Sequence, residues 1–246
     1  MARSLQRYWP WLLVLIAAVA YYPRFIDAPA GVLAYPTAAC CLLNNAVLQA
    51  CSVGFTYPPF FAFVMIPFDP MPLWLRNLVW YLVTLGVTIG SFGPAEMLAR
   101  RAIAVPLTRV ELGWLRVLTL ILSLKLILAV FENQAYDTLV LVFVLLGLAA
   151  LVTGRELWGG AGLAVAAALK ATPLIFLPYL LWKRHFAAAA AFVAFFLVAS
   201  YLPDMVFTPV GGAHGYFNAW LPRWPAPRSA LTRAPPNSCS GPAPTC

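Results

Sequence analysis

Long apolar blocks, broken at a few points by polar or proline-rich clusters, set the pattern of the chain. Residues 9–26, 73–92, 112–131, 138–152, 163–181 and 187–202 each form a nearly uninterrupted apolar stretch. None carries a polar stripe at helical spacing, so each would be apolar all round. A helix needs about 20 such residues to cross the hydrocarbon core of a bilayer, and these blocks meet or approach that length. In lipid the backbone must be bonded within the segment, which favours helices, and the sequence lacks the alternating ten-residue segments of a membrane barrel. The pattern therefore predicts an all-α, polytopic transmembrane helix bundle. It would have about six to eight spans, the extra two coming from residues 57–68 and from a break at Pro173 that splits one block.

Composition strengthens the reading. Of 246 residues, 63% are hydrophobic and 10% are charged, against roughly a quarter charged in a soluble domain. Arg3 and Arg7 precede the first block, while aromatics and Pro23 follow it in place of a small-residue cleavage site. It reads as a signal anchor with the N-terminus in the cytoplasm of a multi-pass plasma (inner) membrane protein. Residues 1–221 would form one transmembrane domain, with a first outer loop over about 23–55. Within that loop, residues 36–48 suggest a short amphipathic helix with a turn at Asn44-Asn45. Residues 222–246 are proline-rich without an apolar period, and such a segment cannot bury enough surface to fold.

The net charge is +8, and its distribution matters more than its sum. Arg100, Arg101, Arg109 and Arg116 cluster between two blocks, and Lys183 and Arg184 between two others. Such flanking charges suit loops facing anionic lipid, and they form no continuous stripe for a nucleic acid. If residues 57–68 cross the membrane, the arginine loop falls on the outer side, against the positive-inside tendency. If the segment only dips in and returns, the arginines lie inside, and residues 132–137 face outward beside the first loop.

Cys41 and Cys51 fall in the outer loop, where disulfides are permitted. A bridge between them would close a loop of about ten residues, and Cys40 is the competing partner. No cysteine and histidine pair has metal-site spacing, so no metal or other cofactor is expected. Ionisable groups inside apolar blocks are costly and mark cavities or partners. Lys125 lies inside residues 112–131, Lys170 closes an alanine-rich block, and Glu132, Asn133, Gln134 and Asp137 form a polar knot between two blocks. One reading makes the lysines phosphate contacts and the knot a sugar-binding rim; the other lets the lysines snorkel beside a solvated turn. Tyr57-Pro58-Pro59 marks a helix start, and Tyr57 is also a candidate ligand contact.

Phe55-Thr56-Tyr57-Pro58-Pro59-Phe60 followed by Ile66-Pro67-Phe68 resembles a signature after the first outer loop of glycosyltransferase family 87. These are membrane enzymes of the GT-C superfamily, related to polyprenol-phosphate-mannose-dependent mannosyltransferases. Glu132-Asn133-Gln134 is similar to the family's Gly-Gln-x-Asn. Ala161-Gly162, Lys170-Ala171-Thr172-Pro173-Leu174 and Leu181-Trp182-Lys183-Arg184 are similar to its later motifs, and the resemblance covers about residues 8–220. It implies a GT-C-like bundle and an inverting hexosyltransferase. Such an enzyme moves a mannose-like sugar from a polyprenyl-phosphate donor to a lipid or glycan acceptor at the outer face. The lipid-linked sugar is then a substrate, and membrane lipids are the surroundings. A carboxylate in the first outer loop would be the general base, which must reach the attacking hydroxyl. Gly31, which cannot do acid–base chemistry, stands where that acid is usual, four residues before Tyr35; Asp27, four residues further upstream and the carboxylate of that loop, takes the role if the loop shifts, or else simply ends the first span in water. Family members run on for several more spans, so the chain reads as truncated near Trp220, with an inactive remnant as one outcome. The alternative class is a transporter or channel-like bundle, in which Lys125, Glu132 and Lys170 would line a path.

Overall fold

The computed structural model describes residues 19–26, 30–48, 55–103, 108–209 and 215–221. Residues 19–26 are helical (α1). They are followed by α2 (Ala30–Leu43), α3 (Pro59–Val64) with a 3-10 turn at Ile66–Phe68, α4 (Leu73–Ala102) and α5 (Arg109–Glu132). Then come α6 (Asp137–Val152), α7 (Glu156–Leu169), a 3-10 turn at Thr172–Ile175, α8 (Phe176–Trp182), α9 (Phe186–Val206) and α10 (Tyr216–Trp220). The described residues contain no strand, and the protein is an all-α bundle. The helices Leu73–Ala102, Val110–Glu132 and Phe186–Val206 are long and apolar enough to cross a membrane.

The helix ends follow from local chemistry. Thr108 and Glu111 form a reciprocal capping box at the start of α5, with Thr108 N donating to Glu111 Oε2 at 2.8 Å. Pro59 opens α3 as the first helical residue, where its missing N–H is no loss. Four helices end in a left-handed residue, at Asn45, Gln134, Gly154 and Arg184. At Gln134 the cap is complete: Gln134 N donates to Phe131 O and Ala135 N to Val130 O, closing the orphan carbonyls of α5. Gly154 and Asn45 are residue types that announce such a stop, and Gln134 and Arg184 are not.

Small residues then let α6, α7 and α9 pack backbone to backbone. A Cβ added at Gly160 of α7 would lie 2.1 Å from the Ala188 carbonyl oxygen of α9, and one at Gly147 of α6 would lie 3.0 Å from Gly159 O. In a membrane, where apolar surface gains nothing by leaving lipid, such close packing is what holds helices together. α5 is the exception. It meets the bundle near its ends, through Arg116 paired with Glu96 at 2.8 Å and through buried Phe131. Between these anchors it stands apart, with 6% of its apolar window buried.

The bundle has two chemically different ends. At one, Arg101 donates to Val152 O, Arg116 and Arg100 pair with Glu96, and His185 pairs with Glu156 at 2.8 Å. Arg155, Lys183 and Arg184 occupy the turns there. At the other, Trp80 Nε1 donates to Gln134 O at 2.9 Å, Arg76 donates to the carbonyls of Phe68, Asp69 and Met71, and Trp220 Nε1 donates to Thr56 O at 3.0 Å.

These contacts decide several points the sequence leaves open. The segment 57–68 begins and ends at the end of the bundle that carries the 132–137 turn, through Tyr57 against Tyr136 and Phe68 O accepting from Arg76, and Arg100 and Arg101 lie at the opposite end. The block 163–181 is not one span. α7 stops at Leu169 and Lys170 is extended, a break that suits Pro173, and Thr172–Ile175 and α8 lead back towards Lys183. The loop helix begins at Ala30 rather than Pro36, which lies inside it. Tyr35, Pro36 and residues 38–42 are buried, so this helix is wrapped by the bundle on more than one face.

Candidate functional site

The turn between α5 and α6 organises the polar end. Gln134 is fully buried, and its Nε2 donates to Phe25 O at 2.8 Å while its own carbonyl accepts from Trp80. It is therefore a bolt inside the turn and not part of an open rim. Gln134→Ala is expected to destabilise the fold by about 1–3 kcal/mol, because it strips a buried carbonyl of its donor. Thermal unfolding in detergent would check this, and an unchanged midpoint would count against the bolt.

With the turn fixed, Tyr136 projects into an aromatic cluster. Its ring stacks on Phe61 at 4.2 Å between centroids and meets the rings of Tyr57 and Tyr35 edge-on at 5.0 and 5.6 Å. Edge-to-face pairs contribute about 0.5–1.5 kcal/mol each beyond area burial, so the cluster is a rigid floor. Burial, and then the neighbouring Tyr57, push the phenols of Tyr136 and Tyr35 far above the ordinary tyrosine range. Both stay neutral at any working pH, and neither can serve as a base. Tyr57 is only half-buried and stands at the open edge of this floor.

Lys170 lies over it. Its Nζ is 5.8 Å from the Tyr136 ring centroid and is ion-paired and hydrogen-bonded to Asp137 Oδ1. The two side chains remain 32% and 47% exposed, so a ligand can reach them. Position follows from the backbone: Asp137 is the first residue of α6, and Lys170 is the extended residue just past α7. Beside Asp137 a groove of about 590 Å³ opens between α5 and α6. Its walls are Leu126, Ile127, Ala129, Val130, Ala135 and Leu141, and Ser123, Asn133, Asp137 and Thr138 are its polar members.

Of the residues singled out in the sequence, Lys170, Asp137 and Tyr57 thus come together around Tyr136. Asn133 sits at the groove, its Nδ2 donating to Ala129 O at 2.8 Å. Glu132 points elsewhere and pairs with Arg24 at 3.7 Å. Lys125 stands exposed on the middle of α5 and is not brought to Lys170. Asp27 and Cys51 lie outside the described residues. Cys41 is disulfide-bonded to a partner also outside them, and Cys40 Sγ accepts a hydrogen bond from Asn44. Sequence reasoning missed Tyr136 and Thr138. The available signal was their position on either side of Asp137, at the mouth of an apolar helix.

Such a site can hold an anion at Lys170 by exchanging one carboxylate for another acid, above an aromatic floor. No match was found among curated proteins or among solved structures. The sequence profile of glycosyltransferase family 87 matches residues 55–241, beginning later and ending later than the motifs at 8–220 suggest. That stretch holds Tyr57, Phe61 and Tyr136 of the aromatic floor, the polar turn, the groove and Lys170, and it covers more than half of the chain; the protein belongs to glycosyltransferase family 87.

Proposed function

We propose that this membrane glycosyltransferase moves a mannose-like hexose from a polyprenyl-phosphate donor to a lipid or glycan acceptor at the outer face of the plasma membrane. The observation that carries the reading is the exposed Lys170–Asp137 pair over the tyrosine floor, at the end of the bundle opposite the basic turns. Basic turns favour the cytoplasm, which turns the site outward. The disulfide at Cys41, in the loop helix of the same end, suits an oxidising compartment.

In the proposed reaction the acceptor hydroxyl attacks the anomeric carbon with inversion, and the bond from that carbon to the phosphate oxygen breaks. The polyprenyl phosphate leaves with the electron pair, and the hydroxyl proton passes to the general base, for which Asp27 is the candidate. Lys170 offsets the charge developing on the phosphate. Tyr57 and Asn133 supply polar contacts for sugar or acceptor.

The test is transfer of labelled hexose from a polyprenyl-phosphate donor in membranes containing the chain. Wild type is expected to transfer, and Asp27→Asn to be slower by on the order of 10²–10⁴-fold. Absence of transfer by wild type with mannose and glucose donors alike would sink the reading. Unimpaired transfer by Asp27→Asn would remove that residue from the mechanism alone.

A further inference from the structure

Lys125 is used by neither the site nor the fold. It lies exposed on α5, nine residues past Arg116 and seven before Glu132, or about 13.5 and 10.5 Å along the helix. A lysine stem spans little more than half of the shorter distance, so it snorkels poorly to either end. Helical Cβ atoms also tilt towards the N-terminus, which turns the stem away from the nearer end. An ionisable group at that depth is costly unless it meets a cavity or a counter-charge. The groove towards α6 is not that cavity, because Lys125 is not among its lining residues.

Nor does the chain supply the counter-charge among its described residues. Of its eight carboxylate side chains, Glu96 holds Arg100 and Arg116, Glu132 holds Arg24, Asp137 holds Lys170 and Glu156 holds His185. Glu111 closes the capping box of α5, Asp204 accepts from the backbone of Tyr216 and Phe217, and Asp69 faces Arg76. The eighth, Asp27, is the one carboxylate side chain in the segments outside the described residues. Around Lys125 the helix face is apolar, with Trp114, Leu118 and Ile121 each more than half exposed. With Lys125 they follow the four-three-four spacing of a helix-pairing seam, in which a single lysine fixes the register of the partner. The apolar window of α5 is only 6% buried, so the seam is open to a neighbour. A second copy, related by an axis along the membrane normal, would set Lys125 against Lys125, and like charges at one depth disfavour it.

We propose that this seam of α5 docks a transmembrane helix of a different protein, one that carries an Asp or Glu at the depth of Lys125. The two charges neutralise each other inside the membrane, and the apolar neighbours on both helices keep lipid away from the pair. The assignment does not depend on the transferase reading, since none of its residues belongs to the site at Lys170.

Photo-crosslinking of the full chain in its native membranes tests it, with a benzophenone amino acid in place of Leu118 and, as the control, in place of the exposed Leu157. Position 118 is expected to give an adduct with a second protein that position 157 does not give. The crosslinked peptide should be a transmembrane segment containing an Asp or Glu. Lys125→Leu should lower the adduct yield by about fivefold, the usual order for one interhelical polar contact, and Lys125→Arg should keep most of it. Lys125→Glu combined with a lysine at the partner's carboxylate should restore the adduct. Lys125→Leu removes a charge from an apolar face, so the fold and its thermal midpoint in detergent should be kept. An adduct of two copies of this chain, adducts with lipid alone, or a partner segment without a carboxylate would each overturn the proposal. So would an adduct that Lys125→Leu leaves unchanged. If Asp27→Asn lowered the yield as much as Lys125→Leu does, the counter-charge would be internal, and the proposal would fall.

Discussion

Lys170→Ala is expected to slow hexose transfer by on the order of 10²–10³-fold, the usual cost of removing one group that stabilises developing negative charge. The loss should appear mainly in kcat, because in the proposed reaction charge accumulates on the phosphate as the bond to the anomeric carbon breaks. The fold should survive. The Lys170–Asp137 pair is exposed by a third to a half, and exposed pairs contribute at most about 1 kcal/mol. A substitution that abolished activity and lowered the thermal midpoint by many degrees would mark Lys170 as a structural strut instead. Lys170→Arg should restore part of the rate, since charge is kept while the geometry of a point cation is not. Equal rates for wild type and Lys170→Ala would remove the lysine from the phosphate site.

Gly160→Ala is expected to be the most damaging small change in the bundle. One methyl group there would stand 2.1 Å from the Ala188 carbonyl oxygen, and backbone cannot yield as a flexible side chain can. Overpacking of this kind costs about 1–3 kcal/mol and more where backbone must move, so α7 and α9 should be forced apart. Gly113→Ala on α5 is the control, because nothing lies within 4 Å of its added Cβ. There the gain in helix propensity should raise stability by up to about 1 kcal/mol. Thermal unfolding in detergent separates the two, and similar midpoints for both variants would show that α7 and α9 do not depend on this contact.

Most of the bundle was legible because lipid makes the hydrophobic pattern nearly one-dimensional. Blocks 73–92, 112–131 and 187–202 all became helices, each longer than its block, since α4 carries its last turns through Glu96 and Arg100 beyond the apolar stretch. The break at Lys170 could be read as a pause, because Pro173 cannot continue a helix. That α8 runs back along α7 could not, since direction is set by contacts such as His185 with Glu156, 29 residues apart. The same limit applied to residues 57–68. Their length was ambiguous, and what makes them return is Arg76 gathering three carbonyls of the following turn.

The site was legible in parts. Lys170 and Asp137 drew notice because charge within apolar sequence is costly, but 33 positions separate them, and their pairing follows only from the hairpin of α6 and α7. Gln134 looked like a rim residue because it neighbours Asn133, yet a left-handed backbone at that position turns its side chain inward. Tyr136, the centre of the floor, drew no notice, because its ring contacts with Phe61, Tyr57 and Tyr35 join parts of the chain far apart in sequence.

The lengths of α6 and α7 carry one more consequence. At 16 and 14 residues, they measure about 24 and 21 Å, several ångströms less than a hydrocarbon slab of about 30 Å. α9, with 21 residues, reaches about 32 Å and matches the slab. A bilayer around short helices thins to meet them. In the orientation proposed above, the outer leaflet is drawn down over the polar turn, and polar headgroups descend towards Lys170 on that flank of the molecule. On the same proposal a lipid-borne phosphate arrives at the lysine without leaving its own headgroup layer, and the membrane's deformation becomes part of the site.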